Sequence, residues 1–343
     1  MTGAHGYLGS VLTRELVENG AEVIGIDNGL FSSEVEPAPG VTHIDGDIRD
    51  VAAWASVLKG VDTVIHLAAI VGDPACAVSD DLAWETNYLG TVRLTEASRK
   101  YGVRRFVFAS TCSNYGVSTS QESANVRSPL HPQSVYAATK IYAEHHVLSC
   151  SEEGFSTVIL RMATLYGLSP RMRFDLGVNI MTAKAVLEGR ITVHGGSQWR
   201  PFLHVQDASA AFTLLALLED TGPVSRVWNC GSAGENYRLN EVARIIAEEV
   251  PGAAIEVDPL AGDPRDYRVD FHDIQRYLSF VPRHALREGV RGMAESLRDG
   301  LFDDFLNAKY NNHQLTLRAL HDREVAWGGS APASGPAWPQ LTF

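Results

Sequence analysis

Tyr136 and Lys140 stand four residues apart in Ser134-Val-Tyr-Ala-Ala-Thr-Lys140. In a helix, both side chains leave one face, a turn apart. A phenol with a pKa of ~10 is a weak base at neutral pH. An ammonium beside it favours the phenolate. Lowering the pKa by about three units takes roughly 4 kcal/mol of differential stabilisation. Such a pair suits proton exchange with a substrate hydroxyl. Tyr-x-x-x-Lys also occurs on helices that do no chemistry. Its meaning therefore depends on the elements that position it.

The chain opens with Thr2-Gly-Ala-His-Gly-Tyr-Leu-Gly-Ser10. Glycines at 3, 6 and 9 allow a tight turn and close approach to a pyrophosphate. Leu8, Val11, Leu12, Leu16 and Val17 then recur at helical spacing, and Asn19-Gly20 is a stop signal. The free N–H groups of that helix form an anion site, with Gly3, Gly6, Tyr7 and Leu8 around the ligand. A strand from Glu22 to Ile26 ends in Asp27. An acid about 20 residues past the loop is placed for ribose hydroxyls. Asn28 follows it where an arginine would serve a 2'-phosphate, so NAD is expected over NADP.

Further along, Asp47 is expected at the adenine amine and Ile48 over the ring. A helix near 51–59 precedes the strand Thr63 to Ala69. There Leu67, Ala68 and Ala69 leave room for the cofactor, and His66 reads as a satisfied core histidine. A long helix over 83–101 carries Asn87, and Arg105–Ser110 is another strand leading to Thr111. The alternation of strands and helices argues an α/β, Rossmann-type doubly wound parallel sheet. One departure stands out. Only Met1 and Thr2 precede Gly3, where a central strand belongs. The first strand is thus expected to be missing, with the true start upstream or the chain shortened. Both neighbours would be exposed as edges, and the chain would be unstable or poor in cofactor.

The net charge of −12 and the lack of a basic run argue against nucleic acid or anionic membrane as partners. The start shows no signal peptide, and the most apolar run, residues 210–218, is too short to span a bilayer. Cys76, Cys112, Cys150 and Cys230 lack metal-ligand spacing and read as reduced thiols of a cytoplasmic protein. No metal is expected.

These motifs in this order resemble the extended short-chain dehydrogenase/reductases. More narrowly, they resemble the NAD-dependent sugar-nucleotide epimerase/dehydratase family, from about residue 2 to 300. The resemblance implies that Tyr136 is the general base or acid, that Lys140 holds the nicotinamide ribose and tunes Tyr136, and that Thr111 hydrogen-bonds the reacting oxygen. It also makes Asn87 a cofactor residue. It implies a homodimer through the helices near 83–101 and 136–150.

Dehydratases of the family carry Asp-Glu after the threonine, and decarboxylases use a similar acid. This chain has Cys112 and Ser113 there. Epimerisation at one sugar carbon, most plausibly C4, or a single keto-sugar reduction remains. The preference for NAD tilts the reading to epimerisation. A dinucleotide-sensing protein without activity would be expected to lack Tyr136, Lys140 or Thr111.

In the second half, the family segment that closes the substrate cleft resembles residues 191–207. Arg200 is its expected diphosphate clamp, since a planar guanidinium suits that task. Ser113 and Asn179 are expected near the substrate. Family members often place a second arginine where Leu260 and Ala261 stand; Arg265 or Arg268 could replace it, and Arg268 is carried as the candidate. Arg171 and Arg173 fit either a substrate lip or a solvated loop. Asp207 is expected to cap the next helix. Residues 1–168 are expected to form the NAD domain, with part of 200–235 returning to it. Residues 169–320 are expected to form a smaller substrate region, with a final helix or two over 285–308. Residues 321–343 are expected to be a flexible tail.

Overall fold

The computed structural model describes residues 1–31, 35–118, 122–219, 225–259, 263–302 and 304–326. Its strands are β1 (Val23–Asp27), β2 (Val41–Asp45), β3 (Thr63–His66), β4 (Arg105–Thr111), β5 (Ser156–Met162), β6 (Thr164–Tyr166), β7 (Arg190–His194), β8 (Trp199–His204), β9 (Arg226–Cys230), β10 (Asn236–Arg238) and β11 (Ala254–Asp258). β2 and β1 pair in parallel, Val41 opposite Val23. β3, β4, β5 and β9 form a second parallel run, with Thr63 opposite Arg105 and Arg105 opposite Ser156. Every residue of β4 is buried. Phe106 and Phe108 pack with Ile26, Ile48 and Leu94 on one face, and Val107 packs with Leu12 and Phe212 on the other. A strand covered on both sides reads as a continuous apolar run, as Arg105–Ser110 largely does.

Met1 and Thr2 take the central place. Thr2 bridges Ile26 on one side and His66 on the other. Thr2 N donates to Ile65 O (3.0 Å), and Ile26 N donates to Met1 O (2.8 Å). Two residues therefore join the halves of the sheet. Beyond them the facing edges of β1 and β3 flank a groove lined by Val23, Ile24, Leu58, Val64, Ile65 and Leu94. His66 is a satisfied core histidine, between the hydroxyls of Thr2 (2.7 Å) and Thr91 (2.9 Å).

Other expectations need adjustment. Residues 51–59 are not one helix; two 3₁₀ turns, Ile48–Ala53 and Ala55–Leu58, replace it. Asp47 caps the first by accepting Arg49 N, and non-helical dihedrals at Asp50 interrupt it. The long helix over 83–101 includes a π turn, Trp84–Leu89, that carries Asn87. The tail expected from residue 321 begins as helix, since Asn312–Ala326 is helical. Its first residue is tied down: Asn312 N donates to Asp175 Oδ2 (2.9 Å) and its Nδ2 to Val71 O (3.1 Å). Residues 327–343, and the Leu260–Ala261 position, lie outside the described residues.

The second core gathers Tyr166, Val178, Met181, Ile191, Phe202, Val242, Ile246, Leu286 and Val290. Asp207 does not cap the helix Val205–Leu217; His204 does, accepting Gln206 N (3.3 Å). Asp207 instead accepts the N–H groups of Arg283 and His284 (both 2.9 Å), fastening the loop before the helix Leu286–Arg298. His204 stacks on His284 at 4.5 Å, with Tyr166 edge-on at 5.2 Å. Burial first, then His284, lowers the His204 pKa to about 4, against the pull of Asp207. A neutral buried imidazole contributes stability that is complete above its unfolded pKa of ~6.5 and is lost as pH falls toward 4. Stability should therefore drop over that window by up to about 1.4 kcal/mol per pH unit from this group. Urea titrations of native and His204→Gln protein would check it, with a flatter profile expected for the variant.

Candidate active site

The helix Val135–Ser149 positions the central pair. Ser134 caps it by accepting Ala137 N, and the same hydroxyl donates to Asp73 Oδ1 at 2.6 Å. β4 delivers Thr111 at its carboxyl end, where Thr111 Oγ1 accepts Ser113 N (3.1 Å). Tyr136 and Lys140 line one cleft with Gly3, Gly6, Tyr7, Leu8, Asp27, Asn28, Ile48, Leu67, Ala68 and Ala69. It lies at the carboxyl ends of the strands, where open α/β sheets bind ligands.

The electrostatics of the pair are set first by burial. Lys140 Nζ donates to Ala109 O at 2.9 Å and sits 4.7 Å from the centre of the Phe108 ring. Burial lowers its pKa to about 8. Burial raises the Tyr136 phenol above its ordinary value; Cys76 and Asp73 add to this, while Arg173 and a hydrogen bond to Thr111 pull it down. Arg173 is the leading cation acting on the phenol. The Lys140 ammonium donates one of its hydrogens to the Ala109 carbonyl from the same helix face.

Four further candidates are used internally. Asn87 is buried; its Oδ1 accepts Ile70 N (2.8 Å) and its Nδ2 donates to Ile70 O (3.0 Å). It holds the loop beside Ala69 and does not itself line the cleft. The Asp47 carboxylate is taken by Arg49 and Asn28, which leaves Ile48 and Gly46 on the cleft wall. Asn179 is fully buried, accepting Gly167 N (3.0 Å) and donating to Arg173 O (2.8 Å). It positions Arg173 and does not face solvent. Arg268 stacks on Trp199 at 5.2 Å, lining a separate cavity with Ser118, Glu122 and Arg238.

Arg265, the alternative to Arg268, lies beside Ser113. Its Nη1 lies 2.9 Å from Asp73 and 3.2 Å from Ser113 Oγ. Asp263 joins it to Arg200, whose Nη2 is 3.0 Å away. Arg200 is buried and packs over Tyr267 at 5.2 Å. Ser113 also meets the Tyr267 hydroxyl (3.4 Å). The two-residue reach from Asp263 to Arg265 was a legible signal for this cluster. Asn312, which also lines the cleft, gave none, because it returns from far along the chain.

The cleft fits a dinucleotide. A Cβ on Gly3, at φ +73°, would lie 2.8 Å from Ala68 N, and one on Gly9 would lie 2.0 Å from Gly3 O. Only glycine lets the loop lie this close. Asp27 is fixed at the end of β1, accepting His5 N (3.0 Å) and Gly29 N (2.9 Å). Arg171 lines the same cleft, and its buried Nη2 has no hydrogen-bond partner among the described residues. Among the described residues, no cluster of three His, Cys, Asp or Glu is placed to hold a metal, and no helix is long and apolar enough to cross a membrane.

The NAD dependent epimerase/dehydratase family profile matches residues 1–231. The chain is 32% identical to the uncharacterized UDP-glucose epimerase YtcB of Bacillus subtilis, over 84% of this chain and 94% of that protein. It is 30% identical to a UDP-glucose 4-epimerase of Streptomyces lividans, over 72% and 79%. Among solved structures, MoeE5 in complex with UDP-glucuronic acid and NAD is 32% identical with a TM-score of 0.76, covering 87% of this chain and 98% of that one. The UDP-glucose 4-epimerase of Thermotoga maritima superposes with a TM-score of 0.78 at 26% identity, over 88% and 98%. The chain therefore belongs to the NAD dependent epimerase/dehydratase family of extended short-chain dehydrogenase/reductases, and it is an NAD-dependent enzyme acting on sugar nucleotides.

Proposed function

We propose that the enzyme epimerises a nucleotide-activated sugar at C4 through a transient keto intermediate. The observation that carries this is the segment beside Tyr136. Cys112 is buried, with its thiol donating to Arg161 O (3.1 Å) and its pKa pushed up by burial. Ser113 is neutral. No carboxylate from this segment can serve the elimination of water. The names of the UDP-glucose 4-epimerase relatives support C4 and a uridine diphosphate carrier.

Bound NAD supplies the hydride acceptor and donor. The protein supplies placement and proton traffic. Tyr136, as the phenolate that neighbouring positive charge favours, takes the proton of the sugar hydroxyl and returns it, and Thr111 holds the same oxygen. Lys140 holds the nicotinamide ribose. Gly3, Gly6, Tyr7 and Leu8 cradle the diphosphate of NAD, and Asp27 takes the ribose hydroxyls. Arg200, with Arg265 beside Ser113, holds the diphosphate of the sugar nucleotide. Arg200→Ala should raise KM about 10- to 100-fold with kcat little changed, the mark of lost uniform binding; an unaltered KM would remove Arg200 from the substrate site.

The test is incubation with UDP-glucose, UDP-galactose and their uronates without added reductant, read by NMR and mass. Two sugars of equal mass should interconvert. Product formed only in proportion to consumed NADH would favour keto-sugar reduction, and loss of one water would favour dehydration. The same reading makes the enzyme a homodimer through the face where Trp84, Tyr88 and the exposed Tyr142 pack edge to face. Light scattering should give twice the chain mass of 37.3 kDa, and a monomer at working concentration would refute it. It also places the enzyme in the cytoplasm, where four buried free cysteines stay reduced; recovery of the native protein in a secreted fraction would contradict this.

A further inference from the structure

Arg171 has no ion pair among the described residues, and Asp175 and Asp27 act on it only through space. It is only 4% exposed. Its Nε donates to Phe31 O (2.9 Å), its guanidinium lies 5.7 Å from the Phe31 ring centre, and its Nη2 has no hydrogen-bond partner. The carboxylate nearest in sequence, Asp175, is held bidentately by Arg173 (2.8 and 3.0 Å) and also accepts Asn312 N. Burial, then Arg173, lowers the pKa of Arg171 to about 10, which leaves it charged at neutral pH. A buried unpaired cation is costly unless an anion arrives.

The surroundings indicate which anion. Arg171 lines the cleft with Gly6, Tyr7, Asn28 and Phe31, which are the glycine loop and the loop after Asp27. Asp27 and Arg173 are among the charges that act on Arg171. Arg173 lines the same cleft and is the leading cation on the Tyr136 phenol. Arg171 is fastened through Phe31 to the loop that follows Asp27.

We propose that Arg171 is a ligand of the dinucleotide diphosphate, reaching over it from the C-terminal half of the chain. The inference rests on NAD occupying this cleft. It also gives a physical reason for a retained cofactor: release must unpair a buried guanidinium. A planar fork suits phosphate, and a charged hydrogen bond contributes enough to change affinity by about 10- to 100-fold.

The experiment uses the full chain freed of nucleotide, with NAD, ADP and adenosine as probes in calorimetry. Arg171→Met keeps the stem against Phe31 and removes the charge. NAD and ADP should bind about 10- to 100-fold more weakly, adenosine should bind as before, and the sugar-nucleotide KM at saturating NAD should stay within about two-fold. Arg171→Lys keeps the charge without the fork and should lower the ADP-to-adenosine affinity ratio by less. If the methionine variant does not fold, this ratio in the lysine variant decides, and an unchanged ratio overturns the proposal. Unchanged NAD affinity in Arg171→Met, an equal loss for adenosine, or a rise confined to substrate KM would also overturn it. The last result would assign Arg171 to the substrate while leaving the epimerase reading intact.

Discussion

Tyr136→Phe should lose about 10²- to 10⁴-fold in kcat, the usual contribution of a positioned acid–base group, while NAD affinity stays within about two-fold. The phenol is the only group of the Tyr136, Lys140 and Thr111 set that exchanges a proton in the proposed cycle. Its aromatic body keeps the wall of the cleft when the hydroxyl is removed. Thr111 loses one hydrogen-bond partner and retains Ser113 N. Single-turnover conversion with bound NAD, beside calorimetry of NAD binding, separates the two effects. A variant that turned over at near-native rate would end the acid–base assignment of Tyr136.

Glu144→Ala should destabilise the protein by about 3–5 kcal/mol. Glu144 lies on the helix of Tyr136 and Lys140, four residues further along and on the same face. Its carboxylate is fully buried and accepts two nitrogens of Arg161, Asn114 Nδ2 (2.8 Å) and the Ser110 hydroxyl. Removing it leaves the Arg161 guanidinium buried with, among the described residues, only the Tyr115 hydroxyl (3.2 Å) as a side-chain hydrogen-bond partner. The double variant Glu144→Ala/Arg161→Met should recover more than half of the loss, because an unpaired charge costs more than the pair contributes. Urea unfolding of the four proteins checks this. A Glu144→Ala loss under about 1 kcal/mol would show that water or another group relieves Arg161. Because Ser110 precedes Thr111, the same substitution should also loosen the catalytic loop.

Much of this site was legible before the fold was known. The glycine loop, Asp27, Leu67 to Ala69, and the Tyr136/Lys140 pair are local features. Each needs only a strand end or one helical turn to acquire its geometry, and the chain's periodicity supplies both. Other side chains were less legible. Asn87, Asp47 and Asn179 were read for what they offer a ligand, yet each also bonds within the fold: Asn87 to Ile70, Asp47 to Arg49 and Asn28, Asn179 to Gly167 and Tyr7. A polar side chain is available to a ligand only after the backbone around it has been satisfied. Asp207 shows the same competition, with the loop at Arg283 and His284 drawing it away from helix capping.

By itself, the order of residues determined the parallel sheet, the dinucleotide cleft and the four-residue spacing of the reacting pair. Tertiary structure decided which charges meet there. It turned Lys140 to the Ala109 carbonyl and brought Arg173 to act on Tyr136. It chose Arg265 over Arg268 beside Ser113, and it left Arg171 Nη2 buried without a hydrogen-bond partner among the described residues. Periodicity is written every two or four residues along the chain, whereas a Coulomb interaction depends on distances through space that only packing fixes.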